Sequence, residues 1–272
     1  MKKIFPLSIV LFFVLACSIS TPNESFDEKT STKVALALTA TALDQEIKQQ
    51  ETESTITDTQ DGLSATTTSE PPSQDDPKEG LGQSTWRDDL STGQYWSLDS
   101  GDQVIDSTTT FSVNSGKLSA SSDTTGKGNI YWLTHLTFQD AYLEAIFDVE
   151  NCATDDQYGL VVRAPDYESR FGYYFHITCN GHFDLRRWSN EGSTMLLGMP
   201  TSEKINNGPN QTNTLGVWIK GPIIRLYINN YLLEEINDST LVNNGHFGLF
   251  INARQTPGFT VNMDEIQYWI LN

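Results

Sequence analysis

The chain has 272 residues, with 17 Lys and Arg against 35 Asp and Glu and a net charge of −18. At roughly 100–200 residues per domain, that length holds one large domain or two small ones. The acidic balance supplies no basic stripe for a polyanion and excludes nucleic acid as a partner class. Its three cysteines exclude a fold built from disulfides, and no Cys/His group has structural-zinc spacing.

Met1-Lys2-Lys3 opens the chain with positive charge, and an apolar run follows from Ile4 to Ala16. The run is shorter than the roughly 20 residues of a spanning helix and fits the apolar region of an export signal. Its end, Val14-Leu15-Ala16-Cys17, resembles a bacterial lipobox. That resemblance implies that residues 1–16 are a lipoprotein signal peptide and that Cys17 becomes the lipidated first mature residue. The expected location is extracytoplasmic, with the protein anchored to a bacterial membrane by Cys17, where several acyl chains hold firmly and one is marginal. The alternative is an ordinary secretory signal with an incidental cysteine.

Residues 17–83 are rich in Thr, Ser and acidic side chains, with Phe26 as the lone aromatic. Such a stretch buries too little apolar surface to offset its ordering entropy and reads as a flexible acidic tether. Within it, residues 34–50 carry good helix formers. A lone helix of that length is marginal in water, so the segment is a transient helix or a docking site for an envelope protein.

Residues 84–272 contain all six tryptophans and many short alternating runs bounded by Gly, Asn, Asp and Pro. With no intervening helical period, the pattern predicts an all-β antiparallel sandwich. Alternation assigns Leu143, Ala145, Phe147 and Val149 to one apolar face, continued by Leu160 and Val162 and by Tyr173, Phe175 and Ile177. Asn229-Asn230 between two apolar runs is a hairpin signal.

Ordered pieces along this region resemble the concanavalin A-like lectin/glucanase superfamily, in its laminin-G-like and 3-keto-disaccharide hydrolase-like branches. They are Asp88-Asp89-Leu90-Ser91 with Trp96, Gly116-Lys117-Leu118, Tyr158-Gly159-Leu160-Val161-Val162-Arg163 and Gly172-Tyr173-Tyr174-Phe175. Then come Ile224-Arg225-Leu226-Tyr227-Ile228-Asn229, Gly245-His246-Phe247-Gly248-Leu249 and Val261-Asn262-Met263-Asp264-Glu265-Ile266. The resemblance implies a two-sheet jelly roll with one concave face. It implies no single activity, because the fold hosts lectins, hydrolases and adhesion modules.

Cys152 and Cys179 fall in the exported part, where disulfides persist. If the runs at 141–150, 158–163 and 172–178 lie side by side, both cysteines reach the same end of a sheet, one strand apart. The expectation is a structural disulfide, with two buried thiols as the alternative. The same arrangement lines up, on the face opposite the core, Glu144, Asp148, Arg163, Tyr174, His176, Asp184, Arg186 and Trp188. Bidentate polar groups beside an exposed aromatic plate suit a sugar, so Arg163, Tyr174, His176, Asp184, Arg186 and Trp188 are the candidate ligand residues. Trp132, beside Tyr131, is either a second plate or core.

An enzyme needs two carboxylates at suitable separation. Glu144, Asp148 and Glu150 are the candidates, although the Glu-x-Asp-x-x-Glu order of family 16 glycoside hydrolases is missing and no serine has an evident base. No organic cofactor is implied; a calcium ion at Asp155, Asp156 or Asp264 is the one metal expectation. The sequence therefore reads as a surface lipoprotein whose sandwich binds a glycan or glycoconjugate without catalysis. A glycoside hydrolase and an envelope-docking scaffold are the alternatives.

Overall fold

Short alternating runs punctuated by turn residues become fifteen strands in the computed structural model, which describes residues 76–99, 103–106 and 108–272. The expected signal peptide 1–16, the expected lipidation site Cys17, the expected tether up to residue 75 and the candidate helix at 34–50 lie outside the described residues. In chain order the strands begin with β1 (Trp86–Asp88), β2 (Gln103–Asp106), β3 (Thr109–Asn114), β4 (Lys117–Ser122) and β5 (Ile130–Phe138). They continue with β6 (Ala141–Val149), β7 (Gln157–Ala164), β8 (Gly172–Thr178), β9 (Phe183–Ser189) and β10 (Gly192–Met195). The last five are β11 (Gln211–Lys220), β12 (Ile223–Ile228), β13 (Tyr231–Asn237), β14 (Gly245–Asn252) and β15 (Phe259–Ile270).

Two antiparallel sheets form a jelly-roll sandwich. One has the order β13-β12-β11-β6-β15-β4-β3-β2, with β1 also paired to β15; the other has the order β10-β9-β8-β7-β14-β5. The apolar residues that alternation assigned inward all lie in the layer between the sheets. Leu143, Ala145, Phe147, Leu160, Tyr173, Phe175, Ile177, Phe247 and Leu249 are each at most 1% exposed there. The β12–β13 turn carries Asn229 and Asn230 at φ of 50° and 69°, the left-handed conformation that Asn tolerates.

Strand pairing differs from the expected run of neighbours in one respect. β6 pairs with β11 and β15, whereas β7 and β8 belong to the opposite sheet. The segment after Val149 therefore crosses from one sheet to the other instead of turning back beside β6. The Cys152–Cys179 disulfide forms, with Cα atoms 6.1 Å apart, and it joins the end of β6 to the end of β8 across the sandwich. Closing a loop of 27 residues restricts the unfolded chain by about 3.5 kcal/mol. Replacing both cysteines with Ala is expected to lower the unfolding free energy by that amount in a urea titration. An unchanged midpoint would show the staple to be redundant.

The packed region also begins ahead of Ser84. Lys78 Nζ lies 2.9 Å from a Glu144 carboxylate oxygen, Pro77 is buried, and Leu81 packs against Tyr142, Tyr227 and Trp269. Trp269 Nε1 donates to the Gly82 carbonyl at 3.0 Å. The end of the acidic stretch thus covers apolar outer surface of the larger sheet, a role its polar composition hid.

Candidate functional site

On the outer face of the smaller sheet, antiparallel register sets the side chains of β8 and β9 directly opposite one another. His176 faces Asp184, Tyr174 faces Arg186, and Gly172 faces Trp188. His176 Nδ1 lies 2.6 Å from Asp184 Oδ1, and Arg186 Nε donates to Asp184 Oδ2 at 2.9 Å. Burial by itself would raise the Asp184 carboxyl; His176 and Arg186 outweigh it and hold the group below the ordinary carboxylate range. The chain of contacts continues sideways. Asn129 Nδ2 meets His176 Nε2 at 3.0 Å, and Asn252 Nδ2 donates to Asn129 Oδ1 at 2.9 Å and to Gln157 Oε1 at 3.4 Å. In the tautomer with its proton on Nδ1, His176 turns an N–H towards Asp184 and accepts from Asn129 at Nε2.

Above this floor opens a cavity of about 570 Å³. Its walls include Tyr131, Tyr174 and Trp188, and its rim includes Lys127, Arg170 and Arg254. Gly126 and Gly128 flank Lys127 at φ of 78° and 79°, a conformation costly for residues with a Cβ, and the resulting turn brings Lys127 and Asn129 to the same cavity. Tyr174 is buried and donates from its hydroxyl to the Arg170 carbonyl at 3.0 Å. Trp188 is 36% exposed and has no ring partner among the described residues.

Five of the six candidate ligand residues gather here: Tyr174, His176, Asp184, Arg186 and Trp188. Two of them, His176 and Asp184, are floor rather than wall. The sixth, Arg163, does not. Between β7 and β14 the register slips, with His246 opposite Ala164 but Gly248 opposite Val161, so β7 holds one extra residue. Arg163 occupies that bulge at φ 53° and its side chain is fully buried. It donates to the carbonyls of Gln139, Gly221 and Leu241 and to Asp140. A bulge reverses the face on which a residue emerges, which turns this arginine away from the candidate surface.

Glu144, Asp148 and Glu150 are likewise separated from the cavity, because β6 belongs to the other sheet. Glu144 is 5% exposed and is held by Lys78, the Tyr142 hydroxyl and Gln267. Asp148 and Glu150 line a shallow depression of about 370 Å³ with Lys117, Thr212 and Asn262. Lys117 Nζ bridges Asp148 at 3.1 Å and Asp264 at 2.9 Å. Burial pushes both carboxyls up. Thr212 and Lys117 bring Asp148 below the usual range, while the neighbouring Asp148 keeps Asp264 above it despite Lys117.

The three expected calcium ligands do not converge. Asp156 accepts from the backbone N–H groups of Ala153, Arg254, Gln255 and Thr256, Asp155 from Gln255, and Asp264 binds Lys117. Among the described residues no group of three His, Cys, Asp or Glu is placed to hold a metal.

Sequence patterning missed Asn129, Gln157 and Asn252 on the floor and Lys127, Arg170 and Arg254 at the rim. The Gly-Lys-Gly-Asn turn was the one local signal for them. Trp132 is half-buried against the core, stacked on Phe111 at 5.1 Å, with its Nε1 donating to the Trp96 carbonyl. Ser97 does meet a base, with Oγ 3.3 Å from His135 Nε2 beside a second cavity of about 330 Å³. Both side chains are exposed, and among the described residues no carboxylate orients His135.

No family model matches the chain. No curated protein matches it in sequence. Among solved structures it is similar to the carbohydrate-binding module CBM66 from Bacillus subtilis, at 14% identity and a TM-score of 0.47, covering 64% of this chain and 95% of that one. It is also similar to the catalytic domain of an endo-1,3-β-glucanase (laminarinase) from Thermotoga petrophila, at 10% identity and a TM-score of 0.47, covering 70% and 98%. A putative glycosyl hydrolase from Parabacteroides distasonis follows at 12% identity and a TM-score of 0.44, covering 66% and 91%. Likenesses of this size carry nothing about activity, and the chemistry of the site rests on its own residues.

Proposed function

We propose that the protein binds carbohydrate in the cavity over the smaller sheet and does not cleave it, and that Cys17 anchors it to a bacterial membrane with the acidic tether as spacer. The observation that carries the binding reading is Trp188. A large aromatic with no ring partner among the described residues, 36% exposed, stands at the mouth of a cavity whose polar floor is fixed by hydrogen bonds. An apolar plate beside oriented polar groups matches a sugar ring, which has apolar C–H faces and a polar edge. Among the described residues no Asp or Glu lines the cavity, and Asp184 beneath it is committed to His176 and Arg186. The acid and base that glycoside cleavage requires are therefore not supplied by its walls.

Trp188→Ala is expected to weaken binding of any retained glycan by roughly 10- to 30-fold, as for an aromatic anchor in an interface. Isothermal titration calorimetry on the full chain reads this directly. Equal affinity in wild type and variant would remove the cavity from consideration.

A further inference from the structure

The described residues include twelve Lys and Arg side chains, and nine of them meet a partner. Eight pair with a carboxylate, among them Lys78 with Glu144, Arg163 with Asp140 and Arg186 with Asp184, and Lys220 reaches the carbonyl oxygen of Asn272. The remaining three are Lys127, Arg170 and Arg254, whose side chains make no hydrogen bond or ion pair among the described residues. All three line the Trp188 cavity. Among the described residues, cations without counter-ions are therefore the scarce class, and they converge on one site whose described lining holds no carboxylate.

The charged part of the remaining hydrogen-bonding capacity of the cavity has the same polarity. Arg186 gives only Nε to Asp184, and its Nη2 meets the weak acceptor Met199 Sδ at 3.9 Å. Against these donors, the side-chain acceptors left in the described lining are Asn252 Oδ1 and the hydroxyl oxygens of Tyr131 and Tyr174, which give their protons to the carbonyls of Tyr167 and Arg170. A neutral sugar presents hydroxyls that donate as well as accept, so it leaves a donor-rich site partly unmatched. A carboxylate or sulfate is acceptor-only and takes the planar fork of Arg in two bonds.

Building on the proposed sugar binding, we infer that the cavity selects acidic sugars, units bearing a carboxylate or sulfate, over their neutral counterparts. Trp188 supports the ring, and Arg186, Arg170, Arg254 and Lys127 receive the oxyanion.

The test is an array of paired glycans probed with the full chain. Each uronate- or sialate-bearing glycan is printed beside its carboxyl-reduced form, and each sulfated glycan beside its desulfated form. The expected result is retention of acidic members at least about tenfold tighter than their neutral partners, with the carboxylate and sulfate pairs showing which oxyanion is preferred. That preference should fall as sodium chloride rises from 0.05 to 0.5 M, a range over which screening shortens sharply. K127Q/R170Q/R254Q should lose the preference for acidic members. Its three side chains are exposed and without partners among the described residues, so folding should be unaffected and circular dichroism will check it. Equal retention of acidic and neutral members would overturn the inference while leaving sugar binding intact. Retention of no glycan would overturn both.

Discussion

Arg163→Met is expected to lower stability by about 3–5 kcal/mol, the penalty for removing one partner of a buried charge network. The Arg163 side chain is 0% exposed, and its ion pair with Asp140 at 3.0 Å is only one of its contacts. Nη1 reaches the Gly221 carbonyl at 2.7 Å and the Leu241 carbonyl at 2.9 Å, while Nε and Nη2 share the Gln139 carbonyl. This one guanidinium ties the β5–β6, β11–β12 and β13–β14 connections together. Methionine fills much of the volume but leaves those carbonyls unpaired, and each buried unpaired group costs about 1–3 kcal/mol. Lysine should not rescue the variant, because an ammonium lacks the planar five-donor fork. Urea unfolding followed by tryptophan fluorescence measures the loss. A change below about 1 kcal/mol would mean that the bulge relaxes and the carbonyls find water.

The second large effect is expected at Asp184→Asn, again about 3–5 kcal/mol by the same reasoning. Asp184 is 0% exposed, with one oxygen 2.6 Å from His176 Nδ1 and the other accepting from Arg186 Nε. An amide keeps the shape but offers one acceptor and adds two donors, so one donor is left opposed by N–H. Because Arg186 is oriented through this carboxylate, glycan affinity should fall with stability. A variant that loses stability yet binds normally would separate the floor from the ligand.

The wild-type pH dependence follows from the same group. Burial tends to raise Asp184 and Asp156, but His176 with Arg186 in one case, and Thr256 with backbone N–H groups in the other, leave both folded-state values below the ordinary 3.8. The folded state thus holds fewer protons than the unfolded chain, so this stabilisation is complete above the ordinary carboxylate value and is lost as pH falls through the lowered ones. The urea midpoint should be flat with respect to these groups near neutrality and drop below about pH 4.

Much of the fold was legible in local pattern. Period-two alternation located the inward residues of β6, β7 and β8, because the side-chain period of a strand is fixed by geometry. Sheet membership was not legible. β6 pairs with β15, more than a hundred residues further on, as in Met263 opposite Phe147, and no local pattern encodes so distant a partner. The bulge at Arg163 was hidden for a related reason. Its left-handed φ falls on a residue type that rarely adopts it, with no glycine to mark the turn, so alternation continued one residue too far. Within the site, Tyr174, His176, Asp184, Arg186 and Trp188 were readable because they share one strand pair. Asn129, Gln157 and Asn252 were not, since strands far apart in sequence bring them to one floor.

The acidic composition also concealed the character of the cavity. A net charge of −18 argues against polyanions at long range. Within the Debye length of about 8 Å at physiological salt, however, nearby charges dominate, and those at the rim are positive. A single oxyanion on a sugar meets the local field, whereas an extended polyanion also meets the global one.

The most direct measurement is a glycan array probed with the full-length protein and with Trp188→Ala, followed by a reducing-sugar assay on each glycan retained. Non-catalytic sugar binding at the cavity predicts retention by wild type, loss in the variant and no release of reducing ends. Retention that survives loss of Trp188, or release of sugar that depends on Asp148 or Glu150, would contradict it and move the chemistry to the opposite sheet.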